Sequence, residues 1–451
     1  MPLAFDRSFD IGDETTLRHL AEDLALALVP GDMAFLSGET ELEKAVFSRA
    51  LSEDNRIVDA DFRADLMVRL ATAPQGRRVT LQTASPDLAA RLARSFAIRD
   101  FVAANATAPV SRRRIAGDAS VRRYERIDSG DGPRILMDAP EMPNGPPIAD
   151  GLSYFDIAHI TRSVHAFVAV DRALATQGHP APAIYGRDLD NGLLLLEDFG
   201  SETIQDNGRP VPGRYEAAID LLAELHLTPP PRELPVPGAA DHRLYDYDPP
   251  ALKAELAQLV DWYAEDRLGA PLSQEATEAY GAIWDGLIAT LLDGERGWVL
   301  RDFHSPNLMW LDPARGRHRI GLIDVQDAMI GPTAYDLASL IHDARVTVSA
   351  ELEDSLLTRY LTHRGAGFDA ARCRLDVAIA SAQRNCKILG AFTRLARRDG
   401  RPGYLAHRDR VAAYLVRALA HPGLADLSEW FDTYLPLDCV QDRAVPPLAT
   451  D

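Results

Sequence analysis

From Thr15 to Val29 apolar side chains recur at Leu17, Leu20, Leu24 and Leu28, the one-sided stripe of an amphipathic helix. Pro30-Gly31-Asp32 ends it, Met33 to Leu36 reads as a short buried strand, and Ser37-Gly38 leads into a second helical stretch holding Lys44, Phe47 and Leu51. Helix, turn, strand, loop, helix is the order of a nucleotide-binding α/β unit. Arg78 to Thr83 (RVTLQT) adds a strand and Pro86 to Ala104 a helix, and there the first unit, 1–104, closes. Residues 105–114 turn to Ala, Pro and Arg without periodicity and read as a linker. Strand-like segments, a helix around Ile157–Gln177 and the apolar run LLLLEDF at 193–199 then describe a small lobe over 115–200. The remainder, 201–451, is mainly helical. Tyr215–His226 and Ala251–Tyr263 read as helices, the Pro-rich Thr228 to Pro250 between them as loop, and Trp298–Leu300 and Ile320–Asp324 as short strands. No repeat at solenoid periods is present.

Composition narrows the class. The 451 residues are 46% apolar and 25% charged, values of a folded globular chain with room for two or three domains. With 48 basic against 67 acidic residues the net charge is −19, which repels polyphosphate and disfavours a nucleic-acid partner. Lysine occurs only at Lys44, Lys253 and Lys387, so nearly every cation is an arginine. Cys373, Cys386 and Cys439 have no zinc or redox spacing, no run of about 18 apolar residues exists, and the N-terminus lacks a leader pattern. These features lead to an expectation of a cytoplasmic protein that neither binds nor crosses a membrane.

The informative segment is RDFHSPN at 301–307, followed after a turn and strand by IDVQD at 323–327. An Asp, an Asn five residues on, and a second Asp closing an apolar strand about twenty residues later is a spacing that suits phosphoryl transfer. Asp302 would orient an acceptor hydroxyl and take its proton, while Asn307 and Asp324 would hold Mg²⁺ against nucleotide phosphates with hard oxygen donors. Each residue alone reads as a turn or cap; the three in this order do not. His304 either touches substrate or braces the loop, and Asp327, with Gln326, either lines the acceptor site or sits in a solvated turn.

RDFHSPN resembles the protein-kinase catalytic loop and, more closely, the H-G-D-L-H-x-x-N loop of aminoglycoside phosphotransferase-like small-molecule kinases, with IDVQD resembling their magnesium loop. His304 falls on the second His of that pattern, Leu300 replaces the first and Arg301 the Gly. GPTAYDLASL resembles the segment whose Asp, here Asp336, braces the loop in that family. GDASVRRYER, RILMDAP, LLLLEDFG and QRNCKILGAFTRLARRDG, in this order, are similar to bacterial kinases that phosphorylate the anomeric hydroxyl of N-acetylmuramate and N-acetylglucosamine in cell-wall recycling, over about residues 108–440. The resemblance implies a bilobal protein-kinase-like α+β domain with a largely helical C-lobe, ATP and Mg²⁺ as cofactors, and a small amino sugar as acceptor.

Within that frame Gly117, Asp118, Ala119 and Ser120 take the place of the phosphate-covering loop, or form an ordinary turn. Glu197 to Phe199 takes the place of the adenine hinge, or is the edge of a buried strand. No lysine lies between 108 and 250, and Met137 stands at the usual position of the strand lysine; Arg122 or Arg123 would supply the charge, or magnesium and backbone dipoles would. Gln383, Lys387 and Arg394 share a helix face that would suit an anionic acceptor group, although a solvated face explains the spacing too. Glu255 and Trp262 would contribute from another helix, unless Trp262 is core.

The N-terminal stretch around Gly38 resembles the P-loop region of the bacterial ATPase that assists tRNA threonylcarbamoyladenosine synthesis. Against that family's G-D-L-G-A-G-K-T this chain reads G-E-T-E-L-E-K-A from Gly38 to Ala45, keeping only Gly38 and Lys44. Glu41 and Glu43 replace glycines and repel a triphosphate. The expectation is a degenerate α/β P-loop-like domain that does not hydrolyse ATP and serves a structural role, with protein contact as the lesser one. Two rivals stand beside the amino-sugar kinase. One is a kinase of the same fold for an aminoglycoside, choline-like or hydroxy-amino-acid acceptor. The other is a non-catalytic partner of the tRNA-modification complex.

Overall fold

The computed structural model describes residues 4–437 apart from 12, 29–31, 33, 39–65, 74–75, 116–121 and 314–317. Lys44 and most of the Gly38–Ala45 segment, Gly117 to Ser120 and Cys439 therefore lie outside the described residues. The chain divides into two compact units, one of Met1–Glu141 with Ala183–Asp198, the other of Met142–Pro182 with Phe199–Asp451.

The first unit carries two sheets. Strands β1 (Phe5–Ile11), β2 (Ala34–Gly38), β3 (Leu66–Ala73) and β4 (Gly76–Thr83) lie in the order β1-β4-β3-β2, with β2 and β3 parallel and the other pairs antiparallel. Helix α1 (Glu14–Ala27) starts where the Asp13 carboxylate accepts the Thr16 N–H at 2.7 Å, and it buries Leu17, Leu20, Ala21 and Leu24. Helix α2 (Pro86–Asn105) is capped by Ser85, with Pro86 at its first turn. Its first half, Leu88, Leu92 and Phe96, packs into the core of the four-stranded sheet. Its second half, Ile98 and Val102, packs with Ile127, Leu136, Leu193 and Leu195 of the other sheet.

That second sheet has the order β8-β9-β7-β6-β5, built from β5 (Ser111–Ile115), β6 (Arg123–Ser129), β7 (Gly132–Asp138), β8 (Ile184–Asp188) and β9 (Leu193–Glu197), all antiparallel. The segment expected as a linker over 105–114 is thus, in its second half, a strand. The inward residue of β5 is Arg112, so no apolar alternation marked it. Arg112 is buried, reaching Asp23 of α1 at 2.7 Å and Glu125 of β6 at 2.8 Å and 3.0 Å. Burial pushes Asp23 up to about 6, with Arg112 pulling the other way.

In the second unit, helix α3 (Val164–Thr176) precedes α4 (Pro212–Leu225), and the Pro-rich stretch is non-helical with two short strands as far as Asp248, while Pro249 and Pro250, expected in the loop, form the first turn of the next helix, where their missing N–H groups cost no bond. Helix α5 (Pro249–Gln258) runs into a π-helical turn, Leu259–Ala264, where the helix α9 (Ala370–Arg397) passes. A Cβ on Gly390 of α9 would lie 2.1 Å from the Gln258 carbonyl oxygen, so only glycine admits this approach. Helix α6 (Gln274–Leu292) leads to β10 (Arg296–Val299), which pairs antiparallel with β13 (Met329–Pro332); between them β11 (Leu308–Trp310) pairs with β12 (Ile320–Leu322). Helices α7 (Ala334–Ile341), α8 (Ala350–Arg364), α10 (Arg408–Leu419) and α11 (Ala425–Tyr434) are the remaining described α-helices of eight residues or more. No described helix is long and apolar enough to cross a membrane.

Two stability outcomes follow. Arg112→Met strands two buried carboxylates and is expected to cost about 3–5 kcal/mol in urea unfolding. His226, at the end of α4, lies buried with Nδ1 2.7 Å from the Tyr360 hydroxyl, and burial pushes its pKa down to about 3. Its contribution is complete above its unfolded value of about 6.5 and is lost as pH falls through that value toward 3. Between pH 7 and 5 the wild type should therefore lose about 2 kcal/mol more than His226→Asn, by paired unfolding curves at the two pH values.

Candidate active site

The ladder of β10 ends at Val299, paired with Met329, and the next two amides have no strand partner. Asp336, in the first turn of α7 just beyond β13, supplies one: its carboxylate accepts the Leu300 N–H at 2.5 Å and the Arg301 N–H at 2.9 Å. Arg301 then takes φ +68°, a left-handed conformation that favours glycine, and the chain turns at Asp302. The loop closes on itself, with Asn307 N–H donating to the His304 carbonyl at 3.0 Å and Asn307 Nδ2 to the Asp302 carbonyl at 3.0 Å. From α9, Arg384 donates to the Arg301 carbonyl at 2.8 Å and reaches within 3.5 Å of Asp302 Oδ1.

Asn307 and Asp324 meet because β11 and β12 form a hairpin. Leu308 is opposite Leu322, and the Ile323 N–H donates to the Asn307 carbonyl at 3.1 Å, which places both residues at one end of the ladder. Asn307 commits its NH₂ to the loop, which leaves its amide oxygen as the end that a cation would meet. Asp324 stands at φ +59° and accepts from Gln326 Nε2 at 3.0 Å. An amide oxygen and a carboxylate are hard donors that suit Mg²⁺, a cation commonly held by few protein ligands and completed by water and phosphate oxygens.

The Asp302 side chain is 47% exposed. Lost hydration acts to raise its pKa, but Arg384, His304, Lys387 and Arg301 outweigh this and hold it well below the usual carboxylate range. It is a carboxylate at neutral pH, suited to orienting a hydroxyl and taking a proton late in the reaction. His304 lies between two acids, Nε2 3.8 Å from Asp302 and Nδ1 4.0 Å from Asp343. Burial lowers its pKa while both acids raise it, and the net shift is downward. Asp343, buried, accepts the Ser305 N–H at 2.8 Å and the Tyr215 hydroxyl at 3.2 Å, tying the loop to α4.

Of the other residues singled out in the sequence, Asp327 accepts the Thr161 N–H at 2.7 Å and anchors the segment before α3. Gln383 and Lys387 both turn to Glu255, at 3.0 Å and 2.7 Å. Arg394 lies over the Tyr154 ring, 5.8 Å from its centre. Met137 is buried in β7 opposite Leu194 and Tyr124. Glu197 closes β9 with its carboxylate accepting the Ala183 N–H at 3.2 Å. Phe199 lines a cavity of about 300 Å³ with His179, Pro180, Leu311 and His318. Arg122 is half-buried. Arg384 and Asp343 were not anticipated. Arg384 sits beside Gln383 in a run of small and apolar residues, and that buried context is its one sequence signal.

Residues 111–375 match the model of the phosphotransferase enzyme family. The N-acetylmuramate/N-acetylglucosamine kinase of Caulobacter vibrioides is 36% identical over 350 residues, covering 75% of this chain and 96% of that protein. Proteins of the same name from Pseudomonas aeruginosa and Pseudomonas putida are 34% and 31% identical, each over 70% of this chain and 86% and 85% of their own lengths.

Asp302→Asn keeps the shape of the loop and removes the proton acceptor. It is expected to lower kcat by about 10²–10⁴-fold while the chain remains folded, by ADP-release kinetics and circular dichroism.

Proposed function

The chain belongs to the phosphotransferase enzyme family, and we propose that it moves the γ-phosphoryl group of ATP, with Mg²⁺, onto the anomeric hydroxyl of N-acetylmuramate or N-acetylglucosamine. That it is a phosphotransferase with a hydroxyl acceptor follows from its family and its relatives. The observation that carries the choice of acceptor is the 36% identity to the Caulobacter kinase across 96% of that protein. Such a reaction belongs to cell-wall recycling and to the cytoplasm, where ATP is held.

Asp302 orients the acceptor hydroxyl. As the acceptor oxygen bonds to Pγ, the bond from Pγ to the bridging oxygen breaks, ADP leaves with its electron pair, and the acceptor proton passes to Asp302. Asn307 and Asp324 would hold Mg²⁺, which when bound neutralises charge on the phosphate oxygens. Asp336 keeps the loop in place. The nucleotide would be met by Gly117 to Ser120 and Arg122 over its phosphates, and by Met137, Glu197 and Phe199 around its base. His304 and Arg394 would face the acceptor, while Asp327 is engaged by the Thr161 N–H and Gln383 and Lys387 by Glu255.

Residues 1–104 we read as a degenerate P-loop ATPase-like domain. The reading is supported by the parallel β2–β3 pair with Gly38 closing β2, and by the loss of glycines beyond it. Its role would be structural, with protein contact second.

Coupled ADP release across N-acetylmuramate, N-acetylglucosamine, kanamycin and choline tests the acceptor. Stimulation by the two amino sugars is expected, with an anomeric phosphate in the ³¹P spectrum; stimulation by kanamycin or choline alone would sink the assignment.

A further inference from the structure

The carboxylate of Glu255, fully buried in α5, gathers four donors. The Tyr247 hydroxyl and the Arg301 guanidinium bond to it at short range, Gln383 Nε2 at 3.0 Å and Lys387 Nζ at 2.7 Å. These come from three parts of the second unit: the segment leading into α5, the catalytic loop, and α9. Burial alone would push Glu255 up; Lys387 and Arg301 bring it down to about 2, so it is ionised across the working range.

Arg301 is committed at every end. Its N–H goes to Asp336 at 2.9 Å, its carbonyl accepts from Arg384 at 2.8 Å, its Nη1 donates to the Ala158 carbonyl at 2.9 Å, and its Nη2 reaches Glu255. It holds φ +68°, which costs an arginine and suits a glycine. The next residue is Asp302, so whatever fixes Arg301 fixes the direction in which Asp302 leaves.

We propose that Glu255 is a positioning residue for phosphoryl transfer: through the Arg301 guanidinium it holds the left-handed turn that aims Asp302, and with the same carboxylate it keeps Gln383 and Lys387 in register with that loop. It touches no reacting atom. The proposal rests on the phosphotransferase assignment and is independent of which acceptor is used.

Charge bookkeeping separates the useful variants. Arg301→Gly leaves one carboxylate facing one ammonium, and glycine accepts φ +68° without strain, so neither an unpaired charge nor a strained turn is left behind. Glu255→Gln leaves Arg301 and Lys387 as two buried cations around a neutral amide, a harsher change.

The test combines kinetics of the full chain, with ATP and N-acetylmuramate, and hydrogen exchange of the peptide spanning 299–303. Arg301→Gly and Glu255→Gln should each lower kcat about tenfold or more with KM for ATP within about twofold. Both should speed exchange at the Leu300 and Arg301 amides. The double variant should be no worse than the worse single, because both act through one contact. An Arg301→Gly enzyme with wild-type kcat and unchanged exchange overturns the proposal, and so does a double variant whose two losses multiply. If Glu255→Gln does not fold, Arg301→Gly alone decides. If neither amino sugar stimulates the wild type, the acceptor assignment fails by itself. The same comparison then stands on exchange and on ATP hydrolysis with water as acceptor.

Discussion

One buried carboxylate, that of Asp336, closes the turn on which the chemistry is mounted. A strand that stops at Val299 leaves two amides facing a low-dielectric interior, and buried donors without partners are costly. Because β13 pairs with β10 and α7 begins two residues after β13, Asp336 returns to the very end of β10 and takes both amides at once. Burial pushes it up to about 7 while the two N–H groups and Arg384 pull the other way, and the ionised form is the one those donors match. Without that acceptor the Leu300 and Arg301 amides would lose their partner, and the turn at Arg301, with φ +68°, would rest on its side chain alone.

The positions of the reacting groups follow from this brace together with one hairpin. Asn307 belongs to both: its side chain ties back to Asp302, and its carbonyl receives the amide preceding Asp324. A loop and a ladder that share Asn307 hold the Asp302 backbone and the segment entering Asp324 at one end of the hairpin. The electrostatics come from farther away. Arg384 and Lys387 on α9 stabilise the Asp302 carboxylate, which leaves it a weak base, consistent with a reaction in which the proton leaves the acceptor late.

How much of this was legible in the sequence depended on sequence distance. Asp302, Asn307, Asp324 and Asp336 lie within 35 residues, joined by short strands; spacing pointed to the first three, and the likeness of GPTAYDLASL to a family segment pointed to Asp336. Arg384, Asp343 and the bonding of Glu255 arise from packing of α9, α7 and α5, whose relation no local pattern encodes. The helix face holding Gln383, Lys387 and Arg394 was visible, but not that the first two turn inward to a carboxylate 128 and 132 residues away. In the first unit β5 escaped notice because its inward residue is an arginine, neutralised by Asp23 and Glu125, where strand periodicity looks for an apolar side chain. Met137 illustrates the converse. Its apolar identity agrees with its place, buried on a central strand between β9 and β6, where an unpaired ammonium would be costly.

The two departures from the H-G-D pattern, Leu300 and Arg301, make physical sense as one change. Glycine at the second position would take a left-handed φ freely; an arginine there carries a conformational cost of about 1–2 kcal/mol. That cost is tolerable only if the side chain returns more than it takes. Here the guanidinium is 3% exposed and satisfied by the Ala158 carbonyl and the Glu255 carboxylate, so the turn is held by side-chain bonding where glycine would leave it to the backbone alone. Leu300, also buried, adds apolar packing at the position of the first His and gives its amide to Asp336. A loop built this way exchanges backbone freedom for a tether to α5 and α9. The same buried carboxylate that makes the tether also neutralises Lys387, so the cation that α9 carries beside the catalytic loop is not left unpaired.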